Sequence, residues 1–125
     1  MKKILIVDDD KTFQKVMSDK LTSLNYKVDS AFDGEEGLKM ALEGKPDLVL
    51  LDIKMPKLDG IGFLQTLKAK KDMAPISILI TSNLGGMDQI SEGIALGVKG
   101  YIIKSNESLD TIVKEVEDIF KPSDK

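Results

Sequence analysis

Short apolar runs alternate with amphipathic stretches five times along this chain. The run Lys3-Ile4-Leu5-Ile6-Val7 reads as a strand and stops at the acids Asp8-Asp9-Asp10. Phe13, Val16, Met17, Lys20, Leu21 and Leu24 then recur at helical spacing, with Lys20 the polar interruption. Asn25-Tyr26 closes that helix, and Val28 to Ala31 forms a short second strand. Asp33-Gly34-Glu35-Glu36 is a helix start, with Asp33 as cap and Glu36 three residues on. Leu38, Ala41 and Leu42 supply its buried face, and Lys45-Pro46-Asp47 breaks the chain. Leu48-Val49-Leu50-Leu51 has no polar interruption, which predicts a central strand covered on both faces. Met55-Pro56 and Asp59-Gly60 are loop signals, the latter read as a turn. Phe63, Leu64 and Leu67 mark a third helix, Ile76 to Ile80 a fourth strand, and Ile90 and Ile94 a weaker helix. Gly97 and Gly100 frame a turn into the strand Tyr101-Ile102-Ile103. Leu109, Ile112, Val113, Val116, Ile119 and Phe120 line the last helix, which Pro122 ends. The alternation predicts an α/β fold of (βα)5 type, a parallel five-stranded sheet between two layers of helices.

The 125 residues suffice for one domain and not for two. It is expected to span residues 1–121, followed by a frayed polar tail at 122–125, and to stand alone. Hydrophobic residues at 42% and charged residues at 31% suit a globule with a real core. No apolar run is long enough to cross a membrane and the N-terminus lacks a signal-peptide pattern, so the expected compartment is the cytoplasm. The absence of cysteine and histidine removes disulfides, thiolate catalysis, His triads and His- or Cys-ligated zinc. A net charge of −3 without a basic run argues against nucleic acid as a partner.

The remaining chemistry collects where the strands end. The first ends in Asp8-Asp9-Asp10, the third in Asp52, the fourth in Thr81 and the fifth in Lys104. Open parallel sheets bind ligands beyond the carboxyl ends of their strands. If the first strand lies beside the third, Asp8, Asp9 and Asp52 converge. Two carboxylates about 4 Å apart repel by about 4 kcal/mol at an effective dielectric near 20. Such a cluster holds a proton or binds a cation, and all-oxygen ligands favour a hard ion such as Mg²⁺ (or Mn²⁺). A carboxylate beside that ion can take a phosphoryl group as an acyl phosphate, with Lys104 and Thr81 placed to hold its oxygens.

Four stretches resemble the receiver domain of two-component response regulators, close in size to the single-domain chemotaxis regulators. They are Ile4-Leu5-Ile6-Val7-Asp8-Asp9-Asp10, Leu50-Leu51-Asp52-Ile53-Lys54-Met55-Pro56 with Asp59-Gly60, Ile80-Thr81-Ser82, and Gly100-Tyr101-Ile102-Ile103-Lys104, in the family's order. The resemblance implies a flavodoxin-like fold with strand order 2-1-3-4-5. It implies Asp52 as phosphoacceptor, charged by a sensor histidine kinase or phosphotransfer protein. Asp9 and Asp52 would bind Mg²⁺ directly, Asp8 through water and Lys54 through its backbone carbonyl. Thr81 and Lys104 would engage the phosphoryl group and Tyr101 would reorient. The surface of helix 4, strand 5 and helix 5 would then change its affinity for a downstream target protein. The resemblance also implies that Lys54 and Asn83, flanking the site, would tune phosphoryl lifetime. A monomer or weak dimer is expected. One departure stands out: Ser105 follows Lys104 where the family usually has proline, and a cis bond before a non-proline residue costs roughly 2.5–4 kcal/mol.

Plainer readings exist for each residue. Acids after a strand can cap the next helix, and Asp10 is the one expected to do so. A lone Thr81, Lys104 or Tyr101 would be an ordinary strand-end hydroxyl, surface lysine or packing residue. Two rival functions share parts of the pattern. Asp8-Asp9-Asp10-Lys11-Thr12 fits the opening motif of haloacid-dehalogenase-type phosphohydrolases, with Asp8 as nucleophile, but leaves Asp52 unexplained. A flavodoxin-type redox protein shares the topology but needs a phosphate cradle where this chain has three acids.

Overall fold

The structure is a computed structural model that describes residues 1–53, 59–70, 76–82, 87–104 and 107–121, with the backbone alone for 87–90. Its elements are β1 (Lys3–Val7), α1 (Lys11–Ser23), β2 (Lys27–Ala31), α2 (Gly34–Gly44), β3 (Leu48–Asp52), α3 (Gly60–Lys68), β4 (Ser77–Ser82), α4 (Met87–Ala95), β5 (Gly100–Ile103) and α5 (Leu109–Phe120). The five strands form one parallel sheet in the order β2-β1-β3-β4-β5, as the sequence pattern and the resemblance predict.

Local chemistry explains where the helices start and stop. Asp10 Oδ1 accepts from Phe13 N at 3.1 Å, so the expected cap of α1 forms. Asp33 Oδ1 accepts from Glu36 N at 2.8 Å, while Glu36 Oε1 reaches back to Phe32 N at 2.8 Å. Asp59, read from the sequence as a turn residue, is the N-cap of α3 and accepts from Gly62 N at 2.8 Å. Helices α1 and α2 are followed by left-handed residues, Asn25 at φ 72° and Lys45 at φ 47°, and Gly97 turns the chain after α4 at φ 91°.

Alternation along the strands builds two cores. Leu5, Val7, Val49, Leu51, Ile78 and Ile80 pack with α2 and α3 on one face of the sheet, through Ala41, Ile61, Phe63 and Leu64. Ile4, Ile6, Leu48, Leu50, Leu79 and Ile102 pack with α1 and α5 on the other, through Met17, Leu21, Ile112, Val113 and Val116. Each strand therefore has apolar residues at both parities, as a sheet covered on both sides requires. Helix α1 departs from its expected face. It buries Gln14, Met17 and Leu21, whereas Val16 is 45% exposed and Leu24 38% exposed.

Candidate functional site

Side chains two residues apart on a strand share a face. Asp8 continues the series Ile4, Ile6; Asp52 continues Leu48, Leu50; Thr81 follows Leu79; Lys104 follows Ile102. All four thus project to the α1/α5 side, at the carboxyl edge, where strand order reverses between β1 and β3. Asp52 and Thr81 are register partners across β3 and β4. Thr81 lies inside β4, which runs to Ser82 and past the end expected from the sequence.

The three acids meet. Asp8, Asp9 and Asp52 each offer a carboxylate oxygen, and these atoms lie within 4.8 Å of one another. Asp8 is fully buried, Asp52 is 5% exposed and Asp9 is exposed, so the cluster has a closed floor and an open rim. Asp8 Oδ1 accepts from Asp10 N at 2.9 Å, and Asp8 Oδ2 accepts from Lys104 Nζ at 2.7 Å. The Lys104 ammonium also lies 4.4 Å from the ring centroid of Phe13, a cation–π contact that fixes its second side. Burial pushes the Asp8 carboxyl above its ordinary 3.8; the Lys104 hydrogen bond and the Asp10 amide offset only part of that. Thr81 Oγ1 is buried with no hydrogen-bond partner among the described residues.

This donor set fits a hard divalent cation. Ionised, the three carboxylates outweigh the one ammonium and leave two negative charges in a small volume. All ligand atoms are oxygen, the preference of Mg²⁺, and trans oxygens around that ion stand about 4.2 Å apart. The observed spread therefore needs only a small closure or one intervening water.

Tyr101 does not join the cluster. It pairs in register with Ile80, faces the side opposite Lys104, and is 45% exposed. Lys54, Asn83 and Ser105, with the tail 122–125, lie outside the described residues. One polar residue at this edge escaped the sequence reading. Gln14, 2% exposed, donates from Nε2 to the carbonyls of Ile6, Asp8 and Ala31. Its only sequence signal is an amide within the helical apolar period.

Comparison with known proteins agrees with the geometry. The family model described as response regulator receiver domain matches residues 4–117. The alkaline phosphatase synthesis transcriptional regulatory protein PhoP of Bacillus subtilis is 41% identical over 103 residues, 82% of this chain and 42% of its own length. A probable chemotaxis protein CheY of Rhizobium etli is 38% identical over 103 residues, 82% of this chain and 80% of its own. The chain spans less than half the length of the transcriptional regulators it matches. Among solved structures, the CheX–CheY–BeF₃–Mg²⁺ complex of Borrelia burgdorferi superposes with a TM-score of 0.86 at 28% identity, covering 97% of this chain and 90% of that one. With its sheet order, its strand-end acids and this match, the chain belongs to the response regulator receiver domain family.

Proposed function

We propose that the chain is a phosphorylation-dependent switch whose phosphoacceptor is Asp52. The observation that carries this reading is the convergence of Asp8, Asp9 and Asp52 beside Lys104 and Thr81. An Asp52 oxygen attacks the phosphorus of a phosphohistidine or a small acyl phosphate. The new O–P bond replaces the donor's P–N or P–O bond, and the leaving group departs with the bonding electrons. Asp8, Asp9 and Asp52 would hold Mg²⁺, with the Lys54 carbonyl as a further ligand. That ion supplies positive charge beside the oxygens in transfer. Lys104, held between Asp8 and the Phe13 ring, supplies a fixed ammonium, and the Thr81 hydroxyl offers a free donor inside the fold. Lys54 and Asn83 tune the lifetime of the acyl phosphate.

The signal then leaves through α4, β5 and α5. Ile94 on α4 is 54% exposed and Tyr101 on β5 is 45% exposed, so apolar surface is available there for a target protein. A shallow concavity of about 230 Å³ beside Tyr101 is lined by Ile103, Glu107, Thr111 and Glu115. The receiver unit extends over residues 1–121 and works in the cytoplasm with a sensor histidine kinase or phosphotransfer protein as donor. No helix among the described residues is long and apolar enough to cross a membrane. The phosphohydrolase alternative is disfavoured because Asp8, its nucleophile, is fully buried with both oxygens hydrogen-bonded.

Mass spectrometry after acetyl phosphate and Mg²⁺ tests the reading. One added phosphoryl group on Asp52, lost in Asp52→Asn and without Mg²⁺, is the expected result. Label that persists in Asp52→Asn and disappears only in Asp8→Asn would make the protein a hydrolase instead.

A further inference from the structure

Gln14 lies on the sheet-facing side of α1, one turn before Met17 and two before Leu21. Its Nε2 stands 2.9 Å from the Ile6 carbonyl, 3.1 Å from that of Asp8 and 2.7 Å from that of Ala31. An amide has two N–H protons, so one of them is shared between two of these acceptors. The orientation is set by chemistry, since the reversed amide would aim an oxygen at three carbonyl oxygens. Ala31 O also accepts from Asp8 N at 3.0 Å, so the ends of β1 and β2 close on the same atom. Gln14 Oε1, meanwhile, is buried and has no partner among the described residues. Packing alone would favour an apolar side chain here, as at Met17 and Leu21. A buried amide with one end unsatisfied calls for another reason.

We infer that Gln14 is a positioning residue for the carboxylate cluster. By gathering three carbonyls, it fixes the main-chain path that carries the Asp8 and Asp9 side chains and ties that turn to the end of β2. Its amide bonds main-chain carbonyls, those of Ile6, Asp8 and Ala31. Its effect passes through Asp8, and so the inference rests on the cation site proposed above.

The test measures Mg²⁺ binding by isothermal titration calorimetry on the full chain. Gln14→Met keeps the length and apolar volume but removes the donors. Its Mg²⁺ dissociation constant is expected to rise about tenfold, as when the group behind a metal ligand is lost. At Mg²⁺ levels that saturate each protein, Asp52 labelling by acetyl phosphate stays close to the wild-type rate, because Gln14 places ligands and does not act on phosphorus. A purely structural role would lower the melting temperature of the metal-free variants and leave the dissociation constant unmoved, and that result overturns the inference. If Gln14→Met does not fold, Gln14→Glu replaces it, with the same shape and at most one donor; unaltered Mg²⁺ binding there is equally fatal. Wild-type protein that binds no Mg²⁺ would remove the proposed site itself, whereas normal wild-type binding with indifferent variants removes only the role of Gln14.

Discussion

Asp8 carries two opposed demands. Burial raises its carboxyl above the ordinary value, and the Lys104 and Asp10 hydrogen bonds recover only part of the cost of ionisation. A carboxyl raised in the folded state favours folding below its unfolded value, and that contribution is lost as pH rises through the folded value. A bound cation works the other way, because it requires the ionised form. The gap in stability between Mg²⁺-loaded and Mg²⁺-free protein should therefore widen as pH rises through the raised Asp8 value, which lies above 3.8. At neutral pH and Mg²⁺ at about 100 times its dissociation constant, linkage supplies about 2.7 kcal/mol. For a chain of 125 residues that is a melting shift on the order of 10 °C. Melts with and without Mg²⁺ from about pH 4 to about pH 8 check this. Asp9→Asn, altered at the exposed rim, should keep the metal-free melting point and lose most of the shift. A shift independent of pH would contradict the account.

At the scale of elements, the backbone is most crowded beside Asp52 where Gly60, at the start of α3, meets Ile53. A Cβ on Gly60 would stand 2.7 Å from Ile53 Cα and 2.8 Å from the Asp52 carbonyl oxygen, both backbone atoms. Gly60 N also donates to Ile53 O at 2.7 Å, so the backbone there has little room to retreat. Gly60→Ala should cost about 1–3 kcal/mol, the range for forced overpacking. Gly44→Ala is the control, since its Cβ would meet only the mobile end of Lys3, with Nζ at 2.9 Å. Chemical denaturation should separate the two variants clearly, and equal stability would mean that the junction yields. This scale also marks what the sequence can reveal. The unbroken run in β3 announced a central strand, and the acids at the ends of the first and third strands were legible as a cluster on the condition that those strands are neighbours, which the sheet order meets. Gln14 was hidden because helical periodicity counts apolar residues, and this one is buried to bind carbonyls. Val16 was misplaced inward for the same reason, as an apolar residue near the stripe but outside it. Asp59 was ambiguous because aspartate serves turns and caps with the same hydrogen bond.

Across the whole molecule, the acidic site and Tyr101 lie on opposite faces of one sheet. Asp52, Asp8 and Lys104 belong with the α1/α5 core, whereas Tyr101 points away from it at the β5 edge. One route from Asp52 to that edge runs through the strands between, and β4 is the strand that touches both β3 and β5. Thr81 is the β4 residue in register with Asp52, and its hydroxyl is buried without a partner among the described residues. An unsatisfied buried hydroxyl costs stability, so Thr81→Val should leave the unmodified protein as stable as before or about 1 kcal/mol more so. The same change removes the group that would answer a phosphoryl oxygen. Two states then lose the contact that distinguishes them, and the bias between them falls with it. Hydrogen exchange before and after acetyl phosphate treatment can read this directly. Wild-type protein should change protection along β5 and α4 on modification. Thr81→Val should take up phosphoryl at Asp52 and show little change there. If the variant still transmits the full change, the hydroxyl is not the link and the path runs through Lys104, whose backbone N–H already bonds the Ser82 carbonyl.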